Sequence, residues 1–128
     1  MYPVPPPRRH RTLLAGVPVI TVLVIVTTSL FALWLNDRCT NQFFSNVFGY
    51  PGAQEASRTS LFLGEQRLVF VTDDDIRAVE EWERLRQAQA YRHAVVSGNM
   101  DQLPPQFYTS FTELENGGTQ MDVWTYCP

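Results

Sequence analysis

The run LLAGVPVITVLVIVTTSLFALWL, residues 13–35, decides how the rest of this 128-residue chain is read. It contains no Asp, Glu, Lys or Arg, and 17 of its residues are apolar. At ~1.5 Å per residue, a helix of this length spans roughly 34 Å, enough for a ~30 Å hydrocarbon core with some tilt. Its polar members, Thr21, Thr27, Thr28 and Ser29, can return their hydroxyls to carbonyls one turn earlier, which lipid tolerates. Pro18 falls near the start, where it costs few helix hydrogen bonds and predicts a bend. Trp34 and Arg38 close the far end as an aromatic and charged interface anchor. The pattern predicts one transmembrane helix over residues 13–35.

A cleaved signal peptide and a buried core helix are the competing readings. A signal peptide has an apolar region of ~7–15 residues and a small-residue cleavage site, whereas this run is longer and Leu30 and Ala32 form a poor cleavage pair. A core helix this apolar needs a far larger domain around it. The segment is therefore expected to stay as an anchor. Thr21, Thr28 and Ala32 approximate a small-residue face suited to close helix packing, set among Val, Leu and Ile that suit lipid.

Charge divides at the same place. All ten basic residues are arginine, and residues 1–35 carry Arg8, Arg9 and Arg11 with no acid, a local charge of +3. Residues 36–128 carry seven Arg against thirteen Asp and Glu, a local charge of −6. The positive-inside rule then puts the N-terminus on the cytoplasmic or matrix side and residues 36–128 on the opposite side. The acidic segment speaks against nucleic-acid binding. The length excludes a doubly wound or barrel enzyme fold, which needs roughly 150–250 residues.

Outward from the anchor, residues 1–12 form a Pro- and Arg-rich tail suited to polyproline II. Residues 36–58 read as an aromatic juxtamembrane segment, in which Phe43, Phe44, Val47 and Phe48 mark one face of a short helix with Thr40 as N-cap and Gly49 and Pro51 as stop signals. These phenylalanines suit the bilayer interface, a neighbouring helix or an ordinary apolar loop equally. Residues 59–98 predict a β-hairpin followed by a helix. Ser60–Leu63 and Gln66–Val71 would flank a type II′ turn at Gly64-Glu65. A capping box over Thr72–Asp75 would open a helix over residues 74–96 that stops at Gly98. Ala78, Trp82, Leu85 and Val95, widened by Ile76 and Val79, form its expected apolar stripe. Arg77, Glu80, Glu81, Glu83, Arg84, Arg86 and Arg92 form its expected solvated face, with Glu80–Arg84 as an i, i+4 pair. Residues 99–128 read as irregular and aromatic, with a turn at Asn116-Gly117-Gly118 and a last strand over 120–126. The fold class expected is a single-pass transmembrane helix with a small α+β, loop-rich soluble segment that packs against partners rather than closing a core alone.

Two cysteines, Cys39 and Cys127, are the one covalent feature, and both fall on the side predicted to be oxidising. A disulfide closing a loop of roughly 90 residues and a pair of buried thiols are equally compatible with them. His10 lies in the tail and His93 on the charged helix, so no constellation for acid–base or nucleophilic chemistry is spelled out. The sequence contains no metal-ligand spacing and no phosphate loop, and Asp73-Asp74-Asp75 lacks the later ligands of a calcium loop. No cofactor, metal or small-molecule substrate is expected. No Asn-x-Ser/Thr sequon occurs, which favours a mitochondrial or bacterial compartment. The expectation is a non-catalytic accessory subunit of a large membrane complex, in contact with other subunits and with lipid. The mitochondrial inner membrane, in a respiratory-chain or ATP synthase complex, is its specific placement. The alternative is a type II receptor or bacterial envelope protein with a partner-binding exposed domain.

Overall fold

The computed structural model describes residues 2–4 and 11–127, arranged as two units, Met1–Trp34 and Leu35–Pro128. Element order is α1 (Arg11–Asn46), β1 (Gln54–Ser60), β2 (Glu65–Thr72), α2 (Ile76–Ser97), a 3₁₀ turn (Met100–Gln102), β3 (Tyr108–Glu113) and β4 (Thr119–Tyr126). One long apolar N-terminal helix, a second helix and a four-stranded antiparallel sheet thus make up the chain. Residues 2–4 of the proline-rich tail have no regular structure and are exposed. Arg8 and Arg9 lie outside the described residues.

In the first unit, α1 is long and apolar enough to cross a membrane. The hydroxyls of Thr21 and Thr28 donate to the carbonyls of Val17 and Val24 at 2.9 and 2.7 Å, and that of Thr27 donates to Leu23. Each of these three hydroxyls is satisfied within its own helix.

In the second unit, the end of α1 belongs to the folded domain. No break occurs at Thr40, and the helix runs on to Asn46, so the short separate helix expected within residues 36–58 is corrected to the last turns of α1. Its phenylalanines divide rather than share a face. Phe43 is fully buried against Leu68, Phe70, Met121 and Val123, Phe44 and Val47 flank that core, and Phe48 is exposed. Phe107 meets the Phe43 ring edge-on at 5.0 Å between centroids. Gly49 then carries the chain past the ring of Phe70, where a Cβ would lie 2.7 Å from Cδ1.

Strand order is β1-β2-β4-β3, with every pair antiparallel. The registers Leu68↔Val123, Phe70↔Met121 and Phe111↔Met121 put these side chains on one inner face. Two expectations fail here. The first hairpin strand is Gln54–Ser60, and Leu61–Leu63 form the turn instead of a strand, with Leu63 rather than Gly64 at positive φ (46°). β1 is an edge strand exposed along its whole length, so its polar residues carry no period-two signal. Residues 99–128, expected to be irregular up to a last strand over 120–126, contribute β3 as well as that strand, β4, so the domain closes a core of its own. Alternation in β4 is masked because Asp122, on its other face, is also buried.

Helix α2 starts at Ile76, two residues beyond the expected start. Asp75 is the N-cap, accepting from the amide of Arg77 at 3.3 Å, while Thr72 accepts from Asp74 ahead of the helix. Gly98 ends it in the left-handed region (φ 68°), donating to the Ala94 and Val95 carbonyls. The covered face is Ile76, Val79, Trp82, Glu83, Arg86, Ala90 and Ala94, which keeps Ile76, Val79 and Trp82 of the expected stripe and departs from it beyond them. Leu85 and Val95 are about half exposed and Ala78 is exposed, whereas Glu83, assigned to solvent, is buried. Arg84 pairs with Glu81 at 2.5 Å rather than with Glu80.

Phe43→Ala is expected to destabilise the Leu35–Pro128 unit by about 3–5 kcal/mol in chemical denaturation, whereas Phe48→Ala costs less than ~1 kcal/mol. Equal effects would contradict the burial of one ring and exposure of the other.

Candidate functional site

Within the second unit, a cleft of about 280 Å³ opens between the inner sheet face, α2 and the segment 103–107. Met121, Val123, Phe107 and Leu103 supply its apolar floor. Its other wall is polar: the buried Glu83 carboxylate accepts from Arg86 at 2.9 and 2.7 Å and from Gln87 Nε2 at 3.0 Å. These side chains meet because positions 83, 86 and 87 are neighbours on one helical face. The Arg86 guanidinium also lies 5.6 Å over the Trp82 ring, which meets Tyr50 edge-on. An apolar pocket with one fixed ion pair suits an apolar side chain that carries a single polar group.

The opposite sheet face presents a second surface. The registers Arg67↔Trp124 and Tyr108↔Trp124 place these three side chains together, with Tyr108 and Trp124 stacked at 5.9 Å. Arg67 reaches the nearly buried Asp122 carboxylate through two bonds of 2.6 and 2.5 Å, which holds the guanidinium in place and pushes its pKa up. Tyr108 and Tyr126 remain about two-thirds exposed. Tyr, Trp and Arg are the side chains over-represented at the centres of protein interfaces.

Surface charge is neutralised locally elsewhere. Arg58 bonds Glu55 at 2.8 and 2.9 Å and sits 4.7 Å over the Phe44 ring. Hydrogen bonds from Arg58 and Arg84 hold the carboxyls of Glu55 and Glu81 below the usual range. Depressed folded-state values contribute stability above the ordinary carboxylate range and lose it as pH falls through them. The solvent exposure of both pairs keeps that contribution small.

The cysteines singled out in the sequence are brought together. Cys39 on α1 and Cys127 just beyond β4 form a disulfide, with Cα atoms 5.9 Å apart across 88 positions. Of the residues expected to flank a membrane, Arg11 opens α1, Trp34 stacks on Phe31 at 5.8 Å, and Arg38 lies on the same helix within the second unit. Arg8 and Arg9 are outside the described residues. His93 is exposed on α2, and among the described residues no three His, Cys, Asp or Glu side chains gather as a metal site would require. The Arg67–Asp122 pair escapes sequence reasoning because its members lie 55 positions apart and only strand pairing brings them together, and the cleft because it is lined by the sheet, α2 and residues 103–107 at once. Glu83 and Arg86, both assigned to the solvated face, stand three apart with nothing in that spacing to turn them inward.

No protein-family model matches this chain, and neither a curated protein nor a solved structure matches it.

Reduction of the purified chain is expected to slow its electrophoretic mobility and release two alkylatable thiols. In the chain-entropy treatment, Cys127→Ser should cost about 4–5 kcal/mol in denaturation. An unshifted band would contradict the bond. Separately, Arg86→Leu strands the Glu83 carboxylate and is expected to cost about 1–3 kcal/mol, against less than ~0.5 kcal/mol for Arg84→Leu on the exposed face. Equal thermal shifts for the two variants would sink the distinction.

Proposed function

We propose that this chain is a non-catalytic, single-pass accessory subunit of a multi-subunit membrane complex, anchored by residues 13–35 and bracing neighbouring subunits with the Leu35–Pro128 unit. The observation that carries the reading is the exposure of the apolar side chains from Val17 to Trp34. Twelve large ones, Val26 the least exposed, show 48–62% of their surface. A core helix would have them covered, and only lipid or a neighbour's helix satisfies so long an apolar stretch. The second unit buries a core of its own, so this exposure is not a general failure to pack.

Orientation rests on Arg8, Arg9 and Arg11 ahead of the anchor, which favour a cytoplasmic or matrix N-terminus. The Cys39–Cys127 bond suits an oxidising compartment for the domain. The specific placement is the mitochondrial inner membrane, in a respiratory-chain or ATP synthase complex, with the domain in the intermembrane space. The Tyr108–Trp124–Arg67 face and the 280 Å³ cleft are the surfaces offered to neighbouring subunits.

A specific observation favours a second reading. The C-terminal segment closes on itself as β3 and β4 instead of remaining irregular and dependent on neighbours. A self-sufficient domain suits a type II receptor or bacterial envelope protein that binds its partner reversibly, with a cytoplasmic N-terminus and the domain in the periplasm or exterior.

Both readings require the chain to remain in membranes after alkaline carbonate extraction; release into the supernatant overturns both. Native electrophoresis in mild detergent then separates them. Comigration with a respiratory or ATP synthase assembly is expected for the subunit, and migration as a free monomer supports the receptor or envelope reading.

A further inference from the structure

The turn between β1 and β2 is built from the wrong residues for water. Hairpin turns draw on Gly, Asn, Asp, Ser and Pro, whereas this one runs Leu61-Phe62-Leu63-Gly64. Leu63 occupies the left-handed region (φ 46°), where glycine or asparagine would fit with less steric cost. Leu61 and Phe62 are 55% and 59% exposed.

Its backbone is nevertheless firmly held. The Leu61 amide donates to Glu65 at 3.0 Å and the Gly64 amide to Leu61 at 3.2 Å. Gln66, fully buried, donates through Nε2 to the Leu61 carbonyl at 2.8 Å, and the Cys127 amide donates to the Gly64 carbonyl at 2.9 Å. Cys127 is in turn bonded to Cys39 on α1. A turn fixed at this many points presents its side chains in one place instead of folding them away.

That place is defined by one further bond. The Leu63 amide donates to Asn36 Oδ1 at 2.9 Å. Asn36 directly follows Leu35, the last residue of the apolar run, so a group bonded to its side chain lies within a few ångströms of where that run ends. Trp34 precedes it by two residues, and Tyr126, about two-thirds exposed, pairs with Glu65 at the same end of the sheet. Tryptophan and tyrosine mark the depth of the headgroups in membrane proteins.

We propose that the Leu61–Phe62 turn is a second membrane contact, seated in the interfacial layer of the same phospholipid bilayer that holds the anchor. Leu61 and Phe62 enter the headgroup–acyl boundary, while the hydrogen bond to Asn36 and the Cys39–Cys127 link hold the turn at that depth. The anchor holds the chain in the bilayer through residues 13–35, and the turn adds a second point of contact just beyond it. The chemistry recognised is the apolar boundary of a bilayer, without dependence on a particular headgroup. This inference rests on the membrane reading proposed above.

Spin labelling of the full chain in phosphatidylcholine nanodiscs tests it. Single cysteines replace Phe62 or Leu61 at the turn, Val24 in the anchor, and Glu115 in the β3–β4 turn, which lies roughly 25 Å away along β4 at ~3.3 Å per residue. Labels are attached without reductant, so that the native disulfide stays closed. Collision with an aqueous nickel chelate is expected to be about tenfold weaker at 62 and 61 than at 115, as burial of a large apolar side chain implies, with stronger collision with dissolved oxygen. Aqueous accessibility at both 61 and 62 equal to that at 115, while position 24 reads as lipid-embedded, overturns the second contact and leaves the anchor standing. An aqueous reading at position 24 overturns the anchor and the second contact with it. Two turn positions guard against one substitution disturbing the fold.

Discussion

The seat of Phe43 is the constraint on which the domain depends. A four-stranded antiparallel sheet has one apolar face, and that face needs cover. The last turns of α1 supply part of it by driving Phe43 among Leu68, Phe70, Met121 and Val123. Phe44, Val47 and Phe107 close around this ring, and α2 adds Val79 and Trp82 from a second helix. The disulfide acts on the same element, since it joins Cys39, one turn before Phe43, to the end of β4. An apolar run and a globular core therefore draw on a single helix, with Trp34 and Leu35 at the division between them.

Placement of charge gives α2 its character. Its covered face carries an ion pair, and its outward side carries Leu85, Val95 and Val96. Burying a carboxylate is costly unless it is paired and hydrogen-bonded, and Glu83 receives three such bonds from Arg86 and Gln87. Asp122 repeats the solution on the other face of the sheet with Arg67. Both pairs fix long side chains beside apolar surface, so the cleft and the outer face each join apolar side chains to a paired charge.

Legibility in the sequence followed the strength of local signals. The apolar run was unmistakable because length and lack of charge are enough to identify it, and Gly98 and Asn116-Gly117-Gly118 were readable because left-handed turns demand particular residues. Register was not readable. β1 has no buried side, so Gln54–Ser60 shows no alternation, and the apolar Leu61–Leu63 beside it imitated a strand. The stripe on α2 was legible at Ile76, Val79 and Trp82 and misplaced beyond them, because apolar content was counted without the pairing that lets Glu83 and Arg86 turn inward. The continuity of α1 was hidden by Thr40, a residue suited to a cap that instead sits within the helix. The candidate surfaces share this difficulty, since they are assembled from β2, β4 and α2, and only tertiary pairing brings these together.

A domain whose core includes the end of the long apolar helix should open as one unit. Native-state hydrogen exchange on the full chain in nanodiscs tests this most directly. Amides around Phe43 are expected to exchange with the same opening free energy as those of Leu68, Phe70, Met121 and Val123, and all should lose protection together when the Cys39–Cys127 bond is reduced. Amides of residues 17–35 should stay protected by the bilayer throughout. Rapid exchange around Phe43, with β2 and β4 still fully protected, would contradict the shared helix and place the core entirely within residues beyond it.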